Sequence, residues 1–371
     1  MTVTKGLEGI VAATSSISSI IDGVLTYRGY NIDDLAENTT YEEVVYLLWY
    51  GKLPNRAELD RFLGELGDNA RIPPQVVDLL RSFPKTANSM AALRSAVSAL
   101  ALFDEEAHEL DIDTGRRIAT RLQAKIPTII AAFDRIRKGL EPVEPKAGAG
   151  IAENFLYMLT GKEPEKVAVQ ALDKALVLHA DHELNASTFA ARVTVATLSD
   201  VYSGVTSAIG ALRGPLHGGA NEAVMAMLEE IGDFGNIESY IRDKLDRKEK
   251  IMGFGHRVYK NGDPRAKHLQ KMSYELGKLT GNTKWYDMSV KIEELVTGLK
   301  GLKPNVDFYS ASVYTALEIP RDLFTPIFAM SRVSGWTAHI LEQYENNRII
   351  RPRAEYVGPA ERKVEPIDQR A

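Results

Sequence analysis

From Asp33 to Tyr344 the apolar residues of this 371-residue chain recur at helical spacing, and no other feature restricts its fold as much. Residues 41 to 49 (YEEVVYLLW) are representative, with Val44, Val45, Leu47 and Leu48 forming one broad apolar face. Prolines mark further helix starts at Pro54 and at Pro73-Pro74. The same reading predicts helices over 91–103, over 116–138 with an interruption at Pro127, and over 153–159. A long, small-residue-rich helix follows over 167–198, and others over 220–231, 237–245, 264–277, 285–297, 308–317 and 326–344. Residues 1–30 are short apolar pieces broken by Gly, Ser and Asp, which suggests a small hairpin or an irregular start. Residues 141–150 (EPVEPKAGAG) read as a loop, and the tail from Asn346 as extended chain. No strand–helix alternation of the βαβ kind occurs, so the class is all-α with roughly fifteen helices.

The length suffices for a large core and for two domains. The net charge of −5 argues against a nucleic-acid or anionic-membrane partner, so any anion site must be local. The absence of cysteine excludes disulfides, thiolate metal sites and thiol nucleophiles. No signal peptide and no run of eighteen apolar residues is legible, and a cytoplasmic location is expected.

Five stretches carry residues suited to chemistry. In 251–266 (IMGFGHRVYKNGDPRA), Gly253 and Gly255 permit unusual backbone beside His256. Asp263-Pro264-Arg265 reads as a helix start, with Asp263 as N-cap and Arg265 in the first turn. A cation there opposes the helix dipole unless an anion binds. The competing reading is a surface turn with solvated basic residues, and the two weigh about equally on this stretch alone. In 178–187 (LHADHELNAS), His179 and His182 continue an interior apolar stripe. A core histidine, a substrate site and metal-ligand spacing all remain open there. His217 precedes Gly218-Gly219 and a helix near Ala220 with Val224, Met227, Leu228 and Ile231 on its buried face, although a plain interhelix turn would look alike. Asp307 stands between Val306 and Phe308, either as a simple N-cap or as a base with a raised pKa. Arg332 lies among small and apolar residues, which calls for a partner. Lys250, Arg257 and Lys260 belong to a local basic cluster that is either a solvated face or a polyphosphate contact.

In order and spacing, LHADHELNASTF, GPLHGGANE, GFGHRVYKNGDPRA, PNVDFYSA, SRVSGWTAHILEQ and RPR resemble the citrate synthase family, its dimeric Bacillus-type members most. The likeness runs from about Gly6 to the tail. It implies an all-helical homodimer with an active-site cleft between a large domain (1–217 and 326–371) and a small, mobile, CoA-binding domain (218–325). It implies condensation of acetyl-CoA with oxaloacetate to citryl-CoA and its hydrolysis to citrate and CoA, with no cofactor and no metal. By the same resemblance Asp307 is the base, His217 the donor to the thioester oxygen and His256 the residue that polarises the oxaloacetate carbonyl. His182, Arg265 and Arg332 are oxaloacetate ligands, and Arg351 is a further one reaching over from the other subunit. Lys260, with Arg257 and Lys250, is a CoA contact. Family members that respond to NADH carry extra N-terminal sequence, so no such response is expected.

Three rivals stand beside this reading. A 2-methylcitrate synthase would use the same machinery on propionyl-CoA, and one methylene discriminates by only about 1–3 kcal/mol in an apolar pocket. A metal-dependent hydrolase built on His179, Asp181, His182 and His217 leaves the arginines unexplained. A non-catalytic scaffold predicts that His217 and Asp307 matter only for stability.

Overall fold

The computed structural model describes residues 5–7, 9–256, 258–259 and 262–370. Near the N-terminus three short antiparallel strands, β1 (Ser18–Ile21), β2 (Val24–Tyr27) and β3 (Tyr30–Asn31), form a meander. Each connection is two residues in the left-handed region, Asp22-Gly23 (φ 50 and 81) and Arg28-Gly29 (φ 48 and 87). That is the turn whose twist suits a tight hairpin.

Sixteen α-helices follow among the described residues. They are α1 (Ile32–Asn38), α2 (Tyr41–Tyr50), α3 (Arg56–Asn69), α4 (Pro74–Ser82), α5 (Ser89–Leu100), α6 (Ile112–Arg137), α7 (Ile151–Thr160) and α8 (Lys166–His179). Then come α9 (Ala186–Val195), α10 (Val201–Leu212), α11 (Ala220–Ile231), α12 (Ile237–Asp246), α13 (Ala266–Thr280), α14 (Lys284–Lys300), α15 (Val306–Ala316) and α16 (Phe324–Glu345). The chain is all-α, as its periodicity predicts. Local signals explain many boundaries. Thr40 and Glu43 close a capping box on α2, and Gly51 ends that helix in the left-handed conformation.

The central element is α16, buried along nearly its whole length and packed against α2, α6, α8, α9 and α10. A helix that is apolar or small on all sides must lie inside the protein. The segment α11–α15 packs mainly on itself, and it meets the remainder through α13 and α15 against α8 and α11 against α16. The described chain after α16 is mostly exposed, and its only regular element among the described residues is a 3₁₀ turn at Ile367–Gln369.

Four expectations need correction. Pro127 does not interrupt its helix, because α6 runs through it with Ile126, Pro127, Ile129 and Ile130 buried. A mid-helix proline costs about 3 kcal/mol. Packing of α6 against α3, α4, α5, α7 and α16 outweighs that cost. The long helix over 167–198 is two helices, since α8 ends at His179 and α9 begins after Asn185, whose side chain accepts the Thr188 N–H. Glu183 between them has φ 53, incompatible with a continuous helix. Helix α10 lies outside the helices that periodicity predicts, because VYSGVTSAIGAL is rich in Gly, Ser and β-branched residues of low helix propensity. Finally, α13 starts two residues later than the Asp-Pro-Arg reading implies, with Arg265 at its N-cap position.

Candidate active site

Five elements bring the singled-out residues together. The α8–α9 turn carries His182, the α10–α11 turn His217, the loop before α13 His256 and Arg265, the start of α15 Asp307, and α16 Arg332. Gly253 (φ 80) and Gly255 (φ 77) give the loop its course, and a Cβ on Gly253 would sit 2.7 Å from Phe308. The loop pairs with residues 303–305: Gly255 N donates to Lys303 O at 3.0 Å, and Asn305 N to Gly253 O at 2.9 Å. Asn305 then serves two neighbours. Its Oδ1 accepts the Asp307 N–H (3.0 Å), capping α15, and its Nδ2 donates to Gly255 O (3.0 Å), beside His256. Asp263 does the same for Arg265. It takes two guanidinium bonds at 2.9 and 2.8 Å and the Val306 N–H at 3.0 Å. Asp263 is therefore a buried bridge rather than the predicted cap.

Backbone hydrogen bonds determine which ring nitrogen of His256 and of His217 carries a proton. His256 Nδ1 accepts from Val258 N (3.0 Å) and Tyr259 N (3.2 Å), so its Nε2 is the protonated, outward donor. His217 Nε2 accepts the Ser187 N–H at 3.3 Å, which leaves Nδ1–H as its donor. Ser187 Oγ also lies 2.8 Å from that Nε2 and takes the Trp336 Nε1–H at 3.0 Å. His182 Nε2 is 3.1 Å from Tyr259 Oη, and the rings of His182, His256 and Tyr259 pack edge to face or tilted at 4.6–5.5 Å. Burial, then Arg332, lowers His217 to about 4, and burial, then Arg265, lowers His256 to about 4. Burial and the two arginines hold His182 well below its ordinary value. All three rings are neutral at pH 7, and His217 and His256 act as donors without carrying charge.

Asp307 is opposite in character. Burial raises it to about 7, Asp263 adds to the rise, and Arg265 and Arg332 oppose it. Its Oδ1 is buried with no hydrogen-bond partner among the described residues. Arg332 is 1% exposed, donates Nε to His179 O at 2.6 Å and lies over Phe328 at 4.6 Å. Among the described residues no carboxylate forms a salt bridge with it. Burial lowers it to about 10, so it stays a cation. An electropositive pocket with an unpaired base suits a compact dianion and a carbon acid.

A cleft of about 660 Å³ opens beside this group, lined among others by Leu216, His217, Ala220, Gly255 and His256, with exposed Lys250 at its rim. Arg257 and Lys260 lie outside the described residues. Arg351 is on the exposed tail. His179 and Asp181 face away from the cleft: His179 Nδ1 donates to Ala175 O (2.8 Å), and Asp181 turns to Ser18 and His339. Among the described residues no three His, Asp or Glu side chains converge as metal ligands would. Among the described residues, no helix is long and apolar enough to cross a membrane. Sequence reasoning missed Ser187, Tyr259 and Asn305, although all three fall inside or beside the motifs it singled out.

The family model described as citrate synthase, C-terminal domain, matches residues 6–353. Citrate synthase 2 of Bacillus subtilis is 63% identical over 372 residues, covering 100% of both chains. The 2-methylcitrate synthase 1 of Corynebacterium glutamicum is 44% identical, covering 99% of this chain and 98% of its own. A solved ternary complex of carboxymethyl coenzyme A and oxaloacetate with citrate synthase from Thermoplasma acidophilum superposes with a TM-score of 0.93 at 37% identity, covering 100% of each chain. With a family model spanning nearly its full length and a relative this similar from end to end, the chain belongs to the citrate synthase family.

Proposed function

We propose that the protein condenses acetyl-CoA with oxaloacetate and water to give citrate and CoA, an acyl transfer that makes a carbon–carbon bond. The single observation that carries the reading is the unpaired Asp307 carboxylate, raised to about 7, amid neutral histidine donors and two buried arginines. The thioester methyl is a very weak acid, so a carboxylate removes its proton only if the developing enolate is stabilised at once. Asp307 takes the proton, and His217 Nδ1–H donates to the thioester oxygen. A donor of this kind is typically worth about 3 kcal/mol in the transition state. The nucleophilic carbon attacks the oxaloacetate carbonyl, whose oxygen accepts from His256 Nε2–H and gains that proton as citryl-CoA forms. Arg265, Arg332 and His182 hold the two carboxylates, and bidentate guanidinium contacts orient the carbonyl for attack. Water then cleaves the thioester.

Residues 218–325 form the small domain and 1–217 with 326–371 the large one. The self-packing of α11–α15 supports this division, and closure between the domains excludes water until condensation is complete. The functional unit is a homodimer, with Arg351 as a ligand supplied across the interface from the exposed tail. The reaction needs no cofactor beyond its substrates, Lys250, Arg257 and Lys260 contact CoA, and the enzyme works in the cytoplasm. Propionyl-CoA is the second reading. The 63% identity to a citrate synthase against 44% to a 2-methylcitrate synthase favours acetyl-CoA.

The test is CoA release from acetyl-CoA and from propionyl-CoA, each with oxaloacetate, read with a thiol reagent; the protein contributes no thiol of its own. Higher kcat/KM with acetyl-CoA supports the assignment, and a preference for propionyl-CoA overturns it. Asp307→Ala should nearly abolish release while oxaloacetate still binds, and undiminished turnover would refute the role of Asp307.

A further inference from the structure

Behind His182 lies a buried polar chain that takes no part in the chemistry above. Asp181, fully buried, directs Oδ2 to Ser18 Oγ and, at 3.3 Å, to His339 Nε2. Ser18 Oγ also accepts the Glu183 N–H at 2.9 Å. One hydroxyl of β1 thus grips the residues on both sides of His182. On the far side His339 Nδ1 accepts from Arg192 at 3.0 Å, so Nε2 carries the proton given to Asp181. Arg192 is held in turn by Glu342 at 2.7 Å and Gln343 at 3.0 Å.

The turn has other restraints. Tyr27 Oη donates to Asp181 O at 3.0 Å, and Arg332 Nε donates to His179 O. A Cβ on Gly335 would collide with Asp181 Oδ1 and the Ala180 carbonyl, so α16 approaches the turn closely. Burial raises the Asp181 carboxyl, but His339, Arg332 and Ser18 together bring it below its usual range. Asp181 is thus an internal anion whose charge favours the cationic form of Arg332, and among the described residues no carboxylate forms a salt bridge with that arginine.

We propose that Ser18, Asp181 and His339 form a positioning relay that holds His182 and Arg332 in place for the oxaloacetate carboxylates. The inference rests on the oxaloacetate reading given above. These residues act through the turn and touch no substrate, so their loss should weaken oxaloacetate binding more than turnover.

His339→Leu removes the donor to Asp181 and the acceptor for Arg192, whereas His339→Gln keeps one of each on an uncharged side chain. Loss of this bonding should raise the oxaloacetate KM about tenfold, with kcat and the acetyl-CoA KM within about twofold. The glutamine variant should return close to wild type. Ser18→Ala, a smaller lesion that the fold tolerates more readily, should shift the oxaloacetate KM in the same direction. Titration calorimetry with oxaloacetate alone should show the same weakening without turnover. Equal behaviour of the leucine and glutamine variants overturns the relay, as does a fall in kcat at unchanged oxaloacetate affinity, or no effect of Ser18→Ala. Wild-type protein that releases no CoA would instead overturn the functional reading.

Discussion

Replacing Asp307 by Asn should make the protein inactive and, above neutral pH, more stable. The carboxyl rises from 3.8 to about 7 on folding because burial disfavours its charge more than Arg265 and Arg332 favour it. A folded-state value above the unfolded one means that the native protein holds this proton more tightly. The group's contribution is therefore fully present below about pH 4 and is lost as pH rises through 7. At about 1.4 kcal/mol per pH unit, a three-unit shift corresponds to about 4 kcal/mol above pH 7. Asparagine does not titrate, so it escapes this penalty, while any cost of its orphaned amide is the same at every pH. The difference in unfolding free energy, variant minus wild type, should thus grow by about 3 kcal/mol between pH 5 and pH 8. Urea titrations at both pH values measure it, and titrations common to both proteins cancel. A difference that stays flat or shrinks would refute the argument that Asp307 is a penalised, unpaired base. In parallel, turnover should fall by about 10²–10⁴-fold, the usual worth of a positioned base. Wild-type kcat/KM should decline on acidification below about pH 7 as Asp307 takes up its proton.

Further outcomes follow from the same geometry. Arg332→Met should raise the oxaloacetate KM at least about a hundredfold, the loss expected for a charge-assisted clamp. Its melting temperature should hold or rise, because a buried guanidinium lowered to about 10 leaves the core; a large drop in melting temperature would contradict this. Ser187→Ala should lower kcat about tenfold with little change in oxaloacetate affinity, since His217 loses its hydroxyl partner while retaining the Ser187 N–H. Mixed dimers of Arg351→Ala and Asp307→Ala subunits, each inactive alone, should recover activity through one intact site, and no recovery after verified subunit exchange would exclude a role for Arg351 across the interface.

Much of this protein could be read without coordinates. Helices such as α11, with Val224, Met227, Leu228 and Ile231 buried as spaced, follow from periodicity because a helix face repeats every 3.6 residues whatever it packs against. The chemistry-bearing residues were likewise legible. An arginine amid the small residues of α16 calls for a partner, whereas the histidine beside Gly253 and Gly255 fits a solvated surface turn equally well until the other motifs are read with it. Reading failed where distant chain overrules local preference. Pro127 stays helical because six helices pack around α6, and α8 stops at His179 because β1, β2 and α16 hold the following turn.

What the sequence alone determined is the helical class, the motif residues and the family resemblance, all properties of order and spacing along the chain. Only the tertiary structure decided their states. Ser187, 30 residues before His217, sets that ring's tautomer; Asn305, 50 residues after Gly255, ties the His256 loop to Asp307. Burial decides that Asp307 holds its proton to about pH 7 while Asp263, paired with Arg265, stays ionised. Protonation depends on solvent exclusion and on charges brought near in space, and neither is encoded by neighbours in the chain.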